Sequence, residues 1–121
     1  MKFQIIPIII LSLASSAIAS ISDIEENGSW YYLLNEKGAR YKTMSKSNVG
    51  ELAGFCESYF VGKNGSWYYF FDDKGTRFMT RSVSELGTIR HVNNKSFTTQ
   101  KGNWIYTFDK KGKRTGTKAA K

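Results

Sequence analysis

The chain has 121 residues, 18 Lys and Arg against 10 Asp and Glu, a single cysteine and a single histidine. One cysteine excludes an intramolecular disulfide framework, and the two counts together exclude a metal site built from histidine and cysteine; the length leaves room for one small domain. The net charge of +8 is unevenly held, since residues 20–80 carry seven basic and eight acidic side chains whereas residues 81–121 carry ten and two. A basic third of this kind attracts anions, and it equally serves to keep a small domain soluble.

Residues 1–19 read as a secretory signal peptide. Lys2 gives a positive start, an apolar run over 5–13 is broken by Pro7, and Ala17-Ile18-Ala19 forms a small-x-small cleavage site. The run falls short of the roughly 20 residues that a membrane-spanning helix needs. The expectation is an exported protein, secreted or periplasmic, with no transmembrane anchor once the leader is removed.

The remainder, 20–121, reads as a single domain of three copies of one unit, about 20–46, 47–83 and 84–121. Trp30, Trp67 and Trp104 mark an interval of 37 residues, and a fixed internal period is the sign of a repeat architecture. In the second copy Asn64-Gly65 predicts a type I′ hairpin. Asp72-Asp73-Lys74-Gly75 predicts a type I turn followed by a left-handed glycine, with the Asp72 carboxylate accepting from the backbone. The first copy repeats both at Asn27-Gly28 and at Asn35 with Gly38; the third keeps Asp109 and Gly112 but has Lys101 before Gly102, which predicts a different hairpin turn there.

Between the turns, residues 67–71 alternate Trp67, Tyr69 and Phe71 with Tyr68 and Phe70, apolar on both faces, so the strand is expected to be covered on both sides. In the third copy Trp104, Tyr106 and Phe108 stand opposite Ile105 and Thr107, which turns one face toward solvent. Segments 49–55 and 86–92 align at the same interval and read as spacer strands, followed by lead-in strands at 59–61 and 96–98. The first copy starts at its lead-in, 21–24, and lacks the spacer. Eleven short antiparallel strands without a helical period give an all-β class. A β-trefoil-like closure about a pseudo-threefold axis is favoured over propeller-like blades, which typically number four to eight and would call for a second chain.

Trp30, Tyr32 and Arg40 recur as Trp67, Tyr69 and Arg77 and as Trp104, Tyr106 and Arg114. Aromatic faces stack on sugars and attract cations, while guanidinium groups pair with carboxylates or phosphates. These nine are the candidate binding residues. The competing reading makes the tryptophans core residues that hold the repeats together, and the arginines solvated strand residues. Lys110, Lys111, Lys113, Arg114, Lys118 and Lys121 form a basic cluster. His91 and Cys56 lack a third, orienting group, and Asp72 with Asp73 belongs to a glycine turn, so no catalytic residue, metal ligand or cofactor is expected. Cys56 reads as a small half-buried residue, the alternative being an intermolecular disulfide.

Gly-x-Trp-Tyr-Tyr followed by a polar turn and glycine, around Trp30 and Trp67, resembles the choline- and glucan-binding cell-wall repeats of bacterial surface proteins. That resemblance implies aromatic cages for quaternary amines, or sugar stacking, at Trp30, Trp67, Trp104, Tyr32, Tyr69 and Tyr106. The longer interval is closer to that of tryptophan-glycine repeats, to which the Gly-x-Trp strand and Lys-Gly turn are also similar, although tyrosine or isoleucine follows tryptophan here. Ricin-type lectins share a tryptophan strand before an Asp-x-Gly turn, but Gly65 stands where they carry glutamine. The expectation is a non-catalytic binding module for a glycan or cell-envelope polymer. Alternatives are a structural or protein-interaction module, self-association included, and attachment to an anionic surface through the basic C-terminal third; nucleic acid is the less favoured partner.

Overall fold

The computed structural model describes residues 20–120; the leader read at 1–19, and Lys121 of the basic cluster, lie outside the described residues. These residues form eleven strands in three antiparallel sheets, each built from consecutive strands, so the fold is all-β. β1 (Asp23–Asn27), β2 (Trp30–Leu34) and β3 (Arg40–Ser45) make the first sheet. β4 (Glu51–Phe55), β5 (Tyr59–Asn64), β6 (Trp67–Asp72) and β7 (Arg77–Ser82) make the second. β8 (Thr88–Val92), β9 (Ser96–Lys101), β10 (Trp104–Asp109) and β11 (Arg114–Ala119) make the third.

Two one-turn helices join the sheets, α1 (Lys46–Val49) and α2 (Val83–Leu86). Val49 and Leu86, expected to open the spacer strands, instead close these helices. Ser45 and Ser82 cap them, each Oγ accepting from a backbone N–H three residues on, Asn48 at 3.2 Å and Glu85 at 3.1 Å. Gly50 and Gly87 end them at φ 88°, a conformation that glycine adopts without steric cost.

The hairpin turns differ from the type I′ expectation. Asn27 pairs with Trp30, Asn64 with Trp67 and Lys101 with Trp104, so the loop residues are Gly28-Ser29, Gly65-Ser66 and Gly102-Asn103. Gly28, Gly65 and Gly102 have φ of 62°, 64° and 62°, and no described residue other than glycine has positive φ. Positive φ at the first central residue alone is the type II′ turn. Because that turn needs nothing from the preceding position, the third hairpin matches the other two despite Lys101. The second turn of each unit forms as read: Asp72 Oδ1 accepts from Lys74 N at 2.9 Å and Thr76 N at 3.0 Å, and Asn35 and Asp109 do the same in their units.

The second sheet is buried on both faces. Phe60 and Phe71 pack with Ile21, Tyr31, Leu33 and Val49 toward the first sheet, while Tyr59, Val61, Tyr68 and Phe70 pack with Leu86, Phe97 and Phe108 toward the third. The seam is built twice with the same parts. Tyr31 Oη donates to Gly50 O, and Tyr68 Oη to Gly87 O, both at 2.8 Å. Lys42 and Met44 crowd Gly75, and Met79 and Arg81 crowd Gly112.

The trefoil-like closure has no counterpart among the described residues. Gly38, the first-unit equivalent of Gly75 and Gly112, has open space around it, and the two core clusters share no residue. On the third sheet the face that would continue the row carries Ser96, Thr98, Ile105 and Thr107 where the second sheet has Tyr59, Val61, Tyr68 and Phe70.

Candidate functional site

Trp30, Trp67 and Trp104 open β2, β6 and β10 beside the hairpin turns and are 46%, 47% and 50% exposed. The tryptophans are therefore not the core; tyrosine and phenylalanine fill the seams instead. The register explains this, since Trp67 pairs with Asn64 on one side and Ser82 on the other, at the end of its sheet. Lys63, Gly65, Ser66, Ser82, Val83 and Ser84 surround Trp67 in an open groove of about 560 Å³. An aromatic face beside serine hydroxyls offers both the apolar surface and the hydrogen-bonding groups that a sugar ring presents in turn.

Two residues further along the same strand face, about 7 Å at strand rise, Tyr32, Tyr69 and Tyr106 each carry an arginine. Cζ of Arg40, Arg77 and Arg114 lies 4.0, 4.4 and 5.0 Å from the respective ring centroid. The three arginines are not equivalent in charge pairing. Arg40 is tied to Glu25 at 2.9 Å, whereas Glu25 is replaced by Gly62 and Thr99 in the later units. Among the described residues no carboxylate pairs with Arg77 or Arg114.

Between the second and third sheets lies a cleft of about 280 Å³ lined by Arg81, Glu85, Lys101, Tyr106, Phe108, Gly112 and Arg114. Arg81 spans it, donating through Nη1 to Gly112 O at 2.6 Å and through Nη2 to Glu85 Oε2 at 2.9 Å. The hydrogen bond from Arg81 holds the Glu85 carboxyl below the usual carboxylate range. Glu85 thus offsets Arg81, and Lys101 and Arg114 remain to face an anion.

Residues 24–39 and 60–76 match a family model described as "Putative cell wall binding repeat". One segment in the first unit and one in the second are thus similar to this repeat. The matched segments hold Trp30, Tyr32, Trp67 and Tyr69, and end one residue before Arg40 and Arg77. No curated protein matches the chain.

Around the matched segments, sequence reasoning missed Lys63, Ser66, Ser82 and Ser84 at the Trp67 groove. Ser45 and Ser47 recur as Ser82 and Ser84 at the repeat interval, and that signal was available. It also missed Arg81, Glu85 and Lys101, whose first-seam counterparts are Met44, Asn48 and Asn64 and give no repeat signal. Of the basic cluster, Lys110, Lys111 and Lys113 lie in the turn after β10, and Arg114 and Lys118 on β11, all exposed. Cys56 is half-buried with Sγ 3.7 Å from Ser58 Oγ, and His91 is exposed on β8.

Proposed function

We propose that this chain is an exported, non-catalytic β-repeat module that binds a glycan or other cell-envelope polymer through its Trp, Tyr and Arg triples. One observation carries the reading: all three tryptophans stay exposed, each two residues from a tyrosine that holds an arginine against its ring. The cell wall binding repeat match in two units supports an envelope polymer as the ligand. The second sheet packs on the first with one face and on the third with the other. Sheets packed face to face stand about 10 Å apart, so a polymer chain meets a Trp, Tyr and Arg triple at each step. Arg77 and Arg114, without carboxylate partners among the described residues, favour a polymer that bears carboxylate or phosphate groups. Such a module acts outside the cytoplasm, at the cell surface or in the periplasm. No helix among the described residues is long and apolar enough to cross a membrane.

Co-sedimentation with isolated cell walls and insoluble glycans tests the reading. Trp67→Ala and Tyr69→Ala are each expected to weaken binding at least tenfold with an unchanged circular dichroism spectrum; a folded sample that sediments with none of these polymers at high concentration would remove it. The exposed lysines of the third unit favour a second reading, attachment to an anionic surface, whose signature is binding that collapses as salt rises.

A further inference from the structure

The seam between the first and second sheets is closed at one end by Tyr41, half-buried, whose Oη donates to Asp73 O at 2.7 Å. At the same place in the next seam the hydroxyl and the carboxylate are both lost, while the lysine is kept. Phe78 stands for Tyr41, and Lys110 and Lys111 stand for Asp73 and Lys74. Phe78 has no hydroxyl to reach across, and its ring is 43% exposed. The ring is nonetheless held in place, edge-on to Tyr59 and Phe70 at centroid distances of 6.1 and 6.2 Å. Lys110 Nζ lies 5.7 Å from the Tyr59 ring centroid and 3.5 Å from Ser58 Oγ. Phe78, Met79, Lys110 and Lys111 line the resulting open cleft of about 510 Å³. No carboxylate forms an ion pair with either lysine among the described residues; the Asp109 carboxylate beside them accepts from the turn backbone through Oδ1, and its charge is felt at Lys111.

We propose that this notch is a second binding site, separate from the tryptophan rows, for an amphiphilic organic anion. The apolar part lies on Phe78 and Met79, and the carboxylate, sulfonate or phosphate is held by the ammonium groups of Lys110 and Lys111. An apolar floor gives a small hydrated anion nothing to replace its water with, and two cations disfavour a neutral ligand. The first seam is less suited to the same ligand, because the Tyr41 hydroxyl bridges it to Asp73 O and the Asp73 carboxylate stands where the notch has Lys110.

Amide shifts of ¹⁵N-labelled protein, titrated with three probes, test the proposal. These are 2-naphthalenesulfonate as an aromatic anion, dodecyl phosphate below its micelle concentration as an alkyl anion, and 2-naphthol as a neutral control. Saturable shifts at Phe78, Met79, Lys110 and Lys111 are expected from at least one anion, with 2-naphthol at least tenfold weaker. The tighter anion tells an aromatic acid from an acyl-bearing phosphate such as a lipid headgroup. Phe78→Tyr, which restores the hydroxyl of the first seam, and Lys110→Asp, which restores its carboxylate, are each expected to weaken binding at least tenfold in a spectrum otherwise unchanged. No saturable shift at the notch with either anion, equal binding of the neutral probe, or full binding by Phe78→Tyr would overturn it. Trp67→Ala, which weakens polymer binding, is expected to leave these shifts intact, so the two readings fail separately.

Discussion

Thr99 is fully buried in the third sheet and its Oγ1 has no hydrogen-bond partner among the described residues. Its counterpart in the second sheet is Gly62, where a Cβ would stand 2.1 Å from Val49 O. A buried polar group without a partner costs about 1–3 kcal/mol. Thr99→Val is therefore expected to raise stability by about 1 kcal/mol, seen as a higher urea midpoint at unchanged slope. The turn residues behave differently, because Asn35 does with an amide what Asp72 and Asp109 do with a carboxylate. Asp72→Asn is expected to leave the urea midpoint in place, and Asp72→Ala to cost about 1–2 kcal/mol through two lost hydrogen bonds. At Asp109, the backbone N–H of Lys113, with that of Lys111, holds the carboxyl below the usual carboxylate range. Its folded value lies below its unfolded one, so its contribution is present above the ordinary carboxylate range and lost as pH falls through the folded value. Asp109→Asn is expected to flatten the acid limb of the plot of melting temperature against pH. These turns were legible in the sequence because their hydrogen bonds are made within five residues. The Thr99 environment was not, because it is made by a neighbouring sheet.

Among the elements, the seams carry the energetics. Tyr68 crosses from the second sheet to the Gly87 carbonyl, and burial raises its phenol pKa, so it stays a donor at any physiological pH. Tyr68→Phe leaves that carbonyl without the phenol and is expected to cost about 1–2 kcal/mol, measurable by thermal melting. The same change at residue 105 is already made, since Ile105 has no hydroxyl and meets no further sheet. Strands were legible because alternation and turn residues recur at 37-residue spacing. The helices were not, because one turn shows no period, although Ser82 followed by Glu85 is a capping pattern. The hairpin type was misread because Asn-Gly looks like the central pair until pairing register places Gly-Ser there. The tryptophans were left open between core and surface because alternation tells which side a residue takes, not whether the neighbouring sheet reaches that far along the strand.

For the whole molecule, four-stranded units in threes fit several architectures, and strand counting favoured a closed one. On the face of the third sheet away from the second, Ser96, Thr98 and Thr107 stand with Ile105 where the second sheet has Tyr59, Val61, Phe70 and Tyr68, so that face is less apolar. Thr98→Val with Thr107→Phe is expected to create an exposed apolar face and raise the light-scattering mass with concentration above that of the native chain. Each sheet is also a continuous stretch of chain whose strands pair only with their neighbours in sequence. Such local pairing keeps contact order low and folding fast. A polypeptide delivered N-terminus first, from a ribosome or a translocation pore, can then complete its layers in the order in which they emerge. The first sheet waits for Val49 of α1 and for Phe60 and Phe71 of the second sheet to cover it. No segment made early has to stay unpaired until the last residues arrive, as the opening strands of a ring closed by its two ends must.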